Sequence, residues 1–202
     1  ISSLKAQVAL NYTLQQQQIS SVFTALPVAT KTQIFTGLWN DDTPVSVTLP
    51  FNFYFNGVLQ TQAWVSPNGY ITFGSSPSAT NYTPISSSES YSGAIAAYGE
   101  NLGVTSSFGT PQQNSVSYFN DTTGGLGNGI LKIEWFSFKR KLLNDTTPMR
   151  MQIWLFESGS VIQVRFNQVG ASSLTANDVF GQLGLRGATN ADFNNLKEYL
   201  LH

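Results

Sequence analysis

The sequence predicts an all-β protein, an antiparallel two-sheet β-sandwich of about 8–12 strands with jelly-roll or immunoglobulin-like topology. Three observations support this prediction. Segments with alternating apolar residues recur along the chain, turn-forming residues separate them, and almost no stretch shows helical periodicity. The chain has 202 residues, of which 41% are apolar and 13% aromatic. It can therefore fill one such core, and we expect residues 1–202 to form a single domain.

The first strong strand pattern covers residues 45–55, after a polar initial segment (1–24) that predicts at most an edge strand. Six apolar residues of the pattern share one face of the predicted strand: Val45, Val47, Leu49, Phe51, Phe53 and Phe55. Pro50 interrupts the segment and cannot donate a ladder hydrogen bond. The strand must therefore lie at a sheet edge or carry a bulge near its middle.

A hairpin is predicted next, because two short β-prone runs at 63–66 and 70–73 flank Pro67-Asn68-Gly69. Asn-Gly supplies the positive φ angles that a tight turn needs. The stretch from Ser75 to Ser92 is rich in Ser, Pro, Thr and Asn and predicts a long loop. The small residues at 93–98 predict a buried strand.

Four more strands are predicted in the second half, at 115–119, 130–138, 149–156 and 180–185. In the segment 130–138 the apolar residues change face partway along. Glu157-Ser158-Gly159-Ser160 predicts a turn that leads into a hairpin partner at 161–166. Only Ala191 to Leu201 has a helical pattern.

Composition excludes several classes of function. Only 10% of residues are charged, with 10 Lys and Arg against 11 Asp and Glu, there is no Cys, and the single imidazole is His202 at the chain end. Disulfides, thiolate zinc sites and Cys-His or Ser-His-Asp catalysis are therefore not expected. Neither nucleic-acid binding nor membrane insertion is expected either, because the net charge is −1 and no long apolar segment occurs.

Loop aromatics are the most plausible binding groups, because Trp and Tyr present flat apolar faces with a polar edge that suit sugar rings and protein partners. Trp39, beside an acidic loop, and Tyr82 and Tyr91, in the Ser-rich loop, are the least core-like aromatics. We predict that these three residues bind a ligand.

The loop Asn40-Asp41-Asp42 combines the oxygen ligands that Ca²⁺ prefers. The alternative, which the sequence favours, is an Asx turn that leads into the strand at Val45. Calcium is the single cofactor that the sequence suggests.

Several segments together resemble a domain that recurs in large secreted surface and adhesin-like proteins of Bacteroidetes, especially flavobacteria, which leave the cell by the type IX route. The matching segments, between about residue 12 and residue 196, are Asn40-Asp41-Asp42, 49–53, 65–74, 81–85, 93–97 and 184–194. Hairpins like 65–74 also occur in nidogen-type and other extracellular modules. The Leu-Arg-Gly-x-Thr-Asn-Ala-Asp-Phe-Asn ending makes the resemblance more specific.

The resemblance implies an extracellular β-sandwich that is the N-terminal part of a longer secreted protein and has no catalytic motif. It also implies O-glycans on Asp-Thr-Thr, which makes Thr122 and Thr146 candidate sites. We therefore expect a non-catalytic cell-surface domain that contributes to adhesion by binding a glycan or a surface protein. One alternative is a structural subunit that self-associates, and a lesser one is a carbohydrate-active enzyme with two paired carboxylates.

Overall fold

The computed structural model describes residues 11–13, 15, 23–37, 39, 41–104, 115–141, 148–168 and 181–195. These residues form a short 3-10 turn at Ser158–Ser160 and twelve strands: β1 (Thr32–Thr36), β2 (Val45–Phe55), β3 (Val58–Ser66), β4 (Tyr70–Phe73), β5 (Gly93–Gly99), β6 (Leu102–Gly103), β7 (Ser115–Asp121), β8 (Ile130–Arg140), β9 (Met149–Phe156), β10 (Ile162–Gln168), β11 (Gln182–Arg186) and β12 (Phe193–Asn195). The predicted all-β class is confirmed.

The strands form two antiparallel sheets of six strands each, as expected of a sandwich. The first sheet has the order β1-β7-β8-β9-β10, with β6 paired to the far end of β8, and the second has the order β12-β11-β5-β4-β3-β2. The chain changes sheet after β1, after β5 and after β10. Between these crossings, consecutive strands are mostly neighbours, so each sheet is built around a meander.

The β2 strand satisfies both alternatives that Pro50 left open. It is the edge strand of the second sheet, and its pairing with β3 is irregular in the middle. Thr48 pairs with Gln62, whereas the next paired residue, Phe53, pairs with Gln60. Pro50, which has no N–H to donate, therefore lies in the unpaired stretch of β2, where no ladder hydrogen bond is required.

The change of face in β8 is produced by a bulge. The register with β9 shifts between Phe136 and Phe138, and Ser137 between them has a φ of 62°. Before the bulge Trp135 points into the core, and after it Phe138 does. One extra residue thus keeps apolar side chains inward on both sides of the bulge.

The core lies between the two sheets and is rich in aromatic side chains. Trp135 of the first sheet is fully buried, and its indole Nε1 donates a hydrogen bond of 2.9 Å to the carbonyl of Ser66 at the end of β3. The largest aromatic residues buried with it are Trp39, Phe53, Phe55, Phe73 and Phe138.

The turn between β3 and β4 is buried rather than exposed. The amide Nδ2 of Asn68 donates to the carbonyl of Ala79 at 2.8 Å, and its Oδ1 accepts the N–H of Leu102 at 3.2 Å. Gly69 has a φ of 84°, and a Cβ there would lie 2.3 Å from the carbonyl oxygen of Tyr98. Only glycine fits this position, because both the backbone angle and the close approach exclude a side chain.

The predicted long loop, Ser75 to Ser92, lies against the second sheet. Arg186 of β11 is almost fully buried beneath it and donates to the carbonyls of Ser87 and Glu89, both at 2.7 Å. The Tyr70 hydroxyl of β4 donates to the carbonyl of Asn81 at 2.9 Å. The loop has no strand of its own, and these bonds replace the ladder that would otherwise hold it.

The segment 23–31 crosses the outer face of the first sheet and is held there by Glu134. This carboxylate is fully buried and accepts the N–H of Leu26 at 3.1 Å and the side-chain amide of Gln152 at 2.6 Å. Lys31 Nζ lies 3.9 Å from it. Burial raises the pKa of the Glu134 carboxyl, against the opposing effect of the hydrogen bonds and of the cations Lys31 and Arg150.

The shortest strands were not predicted. In β6 and β12 only two and three residues pair, and β12 lies within the region predicted to be helical, so that prediction is wrong for residues 193–195. Residues 191 and 192 of that region form a turn and a bend, and residues 196–201 lie outside the described residues. Such short strands are defined by their partners in the sheet and not by their own periodicity.

We predict that Glu134→Ala destabilises the fold by about 2–4 kcal/mol, because it leaves the Leu26 N–H without its buried acceptor and removes the carboxylate that lies 3.9 Å from the Lys31 ammonium. Glu134→Gln keeps an acceptor and is expected to cost much less. Chemical denaturation of both variants measures the difference.

The buried carboxyl of Glu134 also predicts that stability depends on pH. Because the pKa of Glu134 is higher in the folded state than its ordinary value of 4.5, the charged form favours the unfolded chain. The free energy of unfolding of the wild type, relative to that of Glu134→Gln, should be greatest at pH values below the ordinary pKa. It should fall as the pH rises through the pKa that Glu134 has in the folded protein. A relative stability that increases with pH would contradict this assignment.

Candidate functional site

Trp39 does not lie at the surface. It is 2% exposed, packs in the main core, and its carbonyl accepts the N–H of Val104 at 3.2 Å. Its indole therefore has no free face for a sugar ring. The expectation of an exposed Trp39 is wrong, because its side chain packs among the buried apolar residues of the core.

The two predicted loop tyrosines also have structural partners. Tyr91 is 4% exposed, its ring lies 4.1 Å from the guanidinium of Arg186, and its hydroxyl donates to the carbonyl of Pro84. Tyr82 is half-buried and donates to Asp41 Oδ1 at 2.9 Å. Since Trp39 and Tyr91 are buried, the three predicted rings do not form an exposed surface.

The predicted calcium loop is described only in part, because Asn40 lies outside the described residues. Asp41 has a φ of 34°, and its Oδ2 lies 3.3 Å from Lys141 Nζ. The described residues contain no group of three or more His, Cys, Asp or Glu side chains that could hold a metal ion. Calcium binding by Asn40, Asp41 and Asp42 stays a prediction.

Of the two predicted O-glycan sites, Thr122 is exposed at the start of the β7–β8 loop, and Thr146 lies outside the described residues. The hydroxyl of Thr123, next to Thr122, donates to Asp121 Oδ1 at 2.6 Å. Thr122 is thus accessible, and its modification stays a prediction.

A different part of the surface is concave, and we call it the edge groove. It runs between the edge strand β2, the β7–β8 loop and the turn after β9. One part, of about 370 Å³, is lined by Phe51 and the loop that carries Thr122 and Leu126. A second part, of about 680 Å³, is lined by Tyr54, Asn52 and Asn56, and Glu157 lines both.

One wall of the edge groove is the polar face of β2. Because side chains alternate along a strand, Asn52 and Tyr54 point away from the core that Phe53 and Phe55 enter. Tyr54 is 48% exposed, and its backbone N–H donates to Ser160 Oγ at 2.9 Å. That bond joins the β2 edge to the turn after β9.

The opposite wall is held by a two-point contact between Glu157 and Gly129. The Glu157 N–H donates to the Gly129 carbonyl at 2.8 Å, and Glu157 Oε2 accepts the Gly129 N–H at 2.9 Å. A Cβ at residue 129 would lie 3.0 Å from both Glu157 Oε2 and the Phe51 ring. Glycine at this position therefore allows the loop, the turn and β2 to meet.

Two carboxylates line the groove, those of Asp121 and Glu157. The ammonium of Lys132 lies 2.5 Å from Asp121 Oδ2, and this contact together with hydrogen bonds from Thr123 lowers the pKa of Asp121 to about 2. Asp121 is therefore ionised near neutral pH and cannot serve as a general acid.

Sequence reasoning missed Tyr54, Asn52 and Glu157 because each was assigned to a strand or turn and not to a site. A signal was present in β2, where the alternate residues Asn52, Tyr54 and Asn56 are polar or amphipathic along one face. Their approach to Glu157, about 100 residues later, depends on the sandwich.

We predict that Gly129→Ala destabilises the domain by about 1–2 kcal/mol, since the added methyl group must displace either Glu157 or Phe51. The matched control is Gly127→Asn in the same loop, where a Cβ meets open space and the positive φ of 80° is the one source of strain, which is smaller for Asn than for other side chains. Urea denaturation compares the two variants. Equal stabilities would show that the close contact at residue 129 is unimportant.

A family model described as NIDO related matches residues 11–199. No curated protein and no solved structure matches the chain. NIDO-related domains are an extracellular, non-enzymatic type. No helix in the described part of the chain is long and apolar enough to cross a bilayer. The match extends over most of the sequence, and the chain therefore belongs to the NIDO-related family.

Proposed function

We propose that this domain is a non-catalytic binding module of an adhesion-type extracellular protein, and that it binds a glycan in the edge groove. The observation that carries the proposal is the exposed ring of Tyr54, which lines the groove together with the Asn52 amide and the Glu157 carboxylate. An aromatic face with amide and carboxylate groups at its edge matches the alternating apolar and hydroxyl faces of a sugar ring.

The availability of these groups supports the proposal. Neither the Asn52 amide nor the Tyr54 hydroxyl has a hydrogen-bond partner within the described residues, whereas Tyr82 and Tyr91 are both engaged. Their exposure means that they are hydrated in the free protein. A ligand rich in hydroxyls can replace that water at little cost.

We further propose that the domain is displayed on a bacterial cell surface after type IX secretion and carries an O-glycan on Thr122. The resemblance of residues 65–74 and 184–194 to surface proteins of Bacteroidetes supports the secretion route. The exposed position of Thr122 is compatible with access by a modifying enzyme. Thr146 is proposed on the same sequence pattern.

We predict that a glycan array binds the purified chain and that Tyr54→Ala weakens each interaction about tenfold, because a stacking surface is lost. Phe193→Ala is the matched control, since Phe193 is also 48% exposed but lies on β12 at the opposite edge of the same sheet. A uniformly negative array would reject the glycan proposal, and equal losses in the two variants would reject the groove as its site.

Self-association is the second candidate function, because Tyr54 and Leu59 form an exposed cross-strand pair on the β2–β3 hairpin and Val58 is exposed beside them. If two chains join through this hairpin, Leu59→Lys should convert an oligomer to a monomer. Size-exclusion chromatography with light scattering measures the mass. A monomeric wild type at high concentration would eliminate this function.

A further inference from the structure

We infer that the edge groove selects neutral glycans over acidic ones, and that the Glu157 carboxylate both accepts sugar hydroxyls and excludes anions. This inference rests on the proposed glycan-binding function and adds the class of ligand and the residue that sets it.

Glu157 is fixed in position but keeps one free oxygen. Its N–H and its Oε2 are both bonded to Gly129, which fixes the side chain at the junction of the two parts of the groove. Within the described residues, Oε1 has no hydrogen-bond partner. A carboxylate held by one oxygen is ready to accept a hydroxyl with the other.

The charge of Glu157 is not compensated inside the groove. No Lys or Arg is among the described residues that line it. The second carboxylate, Asp121, is neutralised by Lys132 at 2.5 Å. A uronate, sialate or sulfate would therefore meet an unpaired negative charge as it lost its water, and this repulsion selects against anionic sugars.

Donors complete the match with a neutral sugar. The Asn52 amide and the Tyr54 hydroxyl can donate to sugar oxygens, while Glu157 accepts from sugar hydroxyls. A hydroxyl both donates and accepts, so a neutral glycan uses both kinds of group. A Lys or Arg side chain of a partner protein would use Glu157 alone and leave the donors unused.

The test is isothermal titration of the full chain with tetrasaccharides of β-1,4-linked glucose, galactose and mannose, each compared with the uronic-acid tetrasaccharide of the same linkage. We expect at least one neutral tetrasaccharide to bind, with its acidic counterpart at least about tenfold weaker. Glu157→Gln should weaken neutral binding about tenfold and reduce the preference, because an amide can still accept the Gly129 N–H but carries no charge.

The matched control is Glu100→Gln, since Glu100 also accepts one backbone N–H, from Asn101 at 2.8 Å, and does not line the groove. It should leave the affinity and the preference unchanged. If Glu157→Gln lowers the melting temperature, Asn52→Ala is the second variant, and it should also weaken neutral binding because an exposed donor is lost.

The outcomes separate this inference from the proposed function. Equal or tighter binding of the acidic sugars, or a preference that Glu157→Gln leaves unchanged, would overturn the inference while glycan binding stands. If no tetrasaccharide binds and the array is negative, the glycan function itself fails. Binding of tetralysine that requires Glu157, without binding of any sugar, would instead identify a basic protein partner.

Discussion

The buried turn Pro67–Gly69 is the constraint on which most of this fold depends. Its backbone polar groups are removed from water and must be paired within the protein. The Gly69 carbonyl accepts the N–H groups of Ala97 and Tyr98, and Asn68 Oδ1 accepts the N–H of Leu102. Because Leu102 begins β6, which pairs with β8, one turn connects the second sheet to the first and fixes where the chain crosses between them.

Side chains hold the irregular segments in a similar way. Arg186 holds the long loop over the second sheet by hydrogen bonds to its carbonyls, and Glu134 holds segment 23–31 over the first sheet. In both cases a buried charged side chain forms hydrogen bonds to a backbone segment that is not paired in a sheet. Few charged residues occur in this chain, and at least these two serve the fold.

The edge groove exists because regular sheet structure ends at its position. The irregular middle of β2 brings Phe51 beside Gly129, and the turn after β9 directs Glu157 and Ser160 toward the same strand. Such irregularities leave polar groups that neither sheet uses. The proposed ligand would complete those contacts, and it would do so without any of the aromatic residues that looked most available in the sequence.

The sequence by itself determined the sandwich class, the alternation of β2, the edge position or bulge that Pro50 imposes on β2 and the change of face in β8, because these follow from local periodicity and from the chemistry of single residues. It did not determine which loop aromatics are exposed. Trp39 and Tyr91 lie in polar segments, yet they are buried by residues far along the chain, Arg186 among them. The groove was decided only by the tertiary structure, since the packing of the two sheets brings Tyr54 and Glu157 to line the same groove, and no local pattern encodes proximity over that separation.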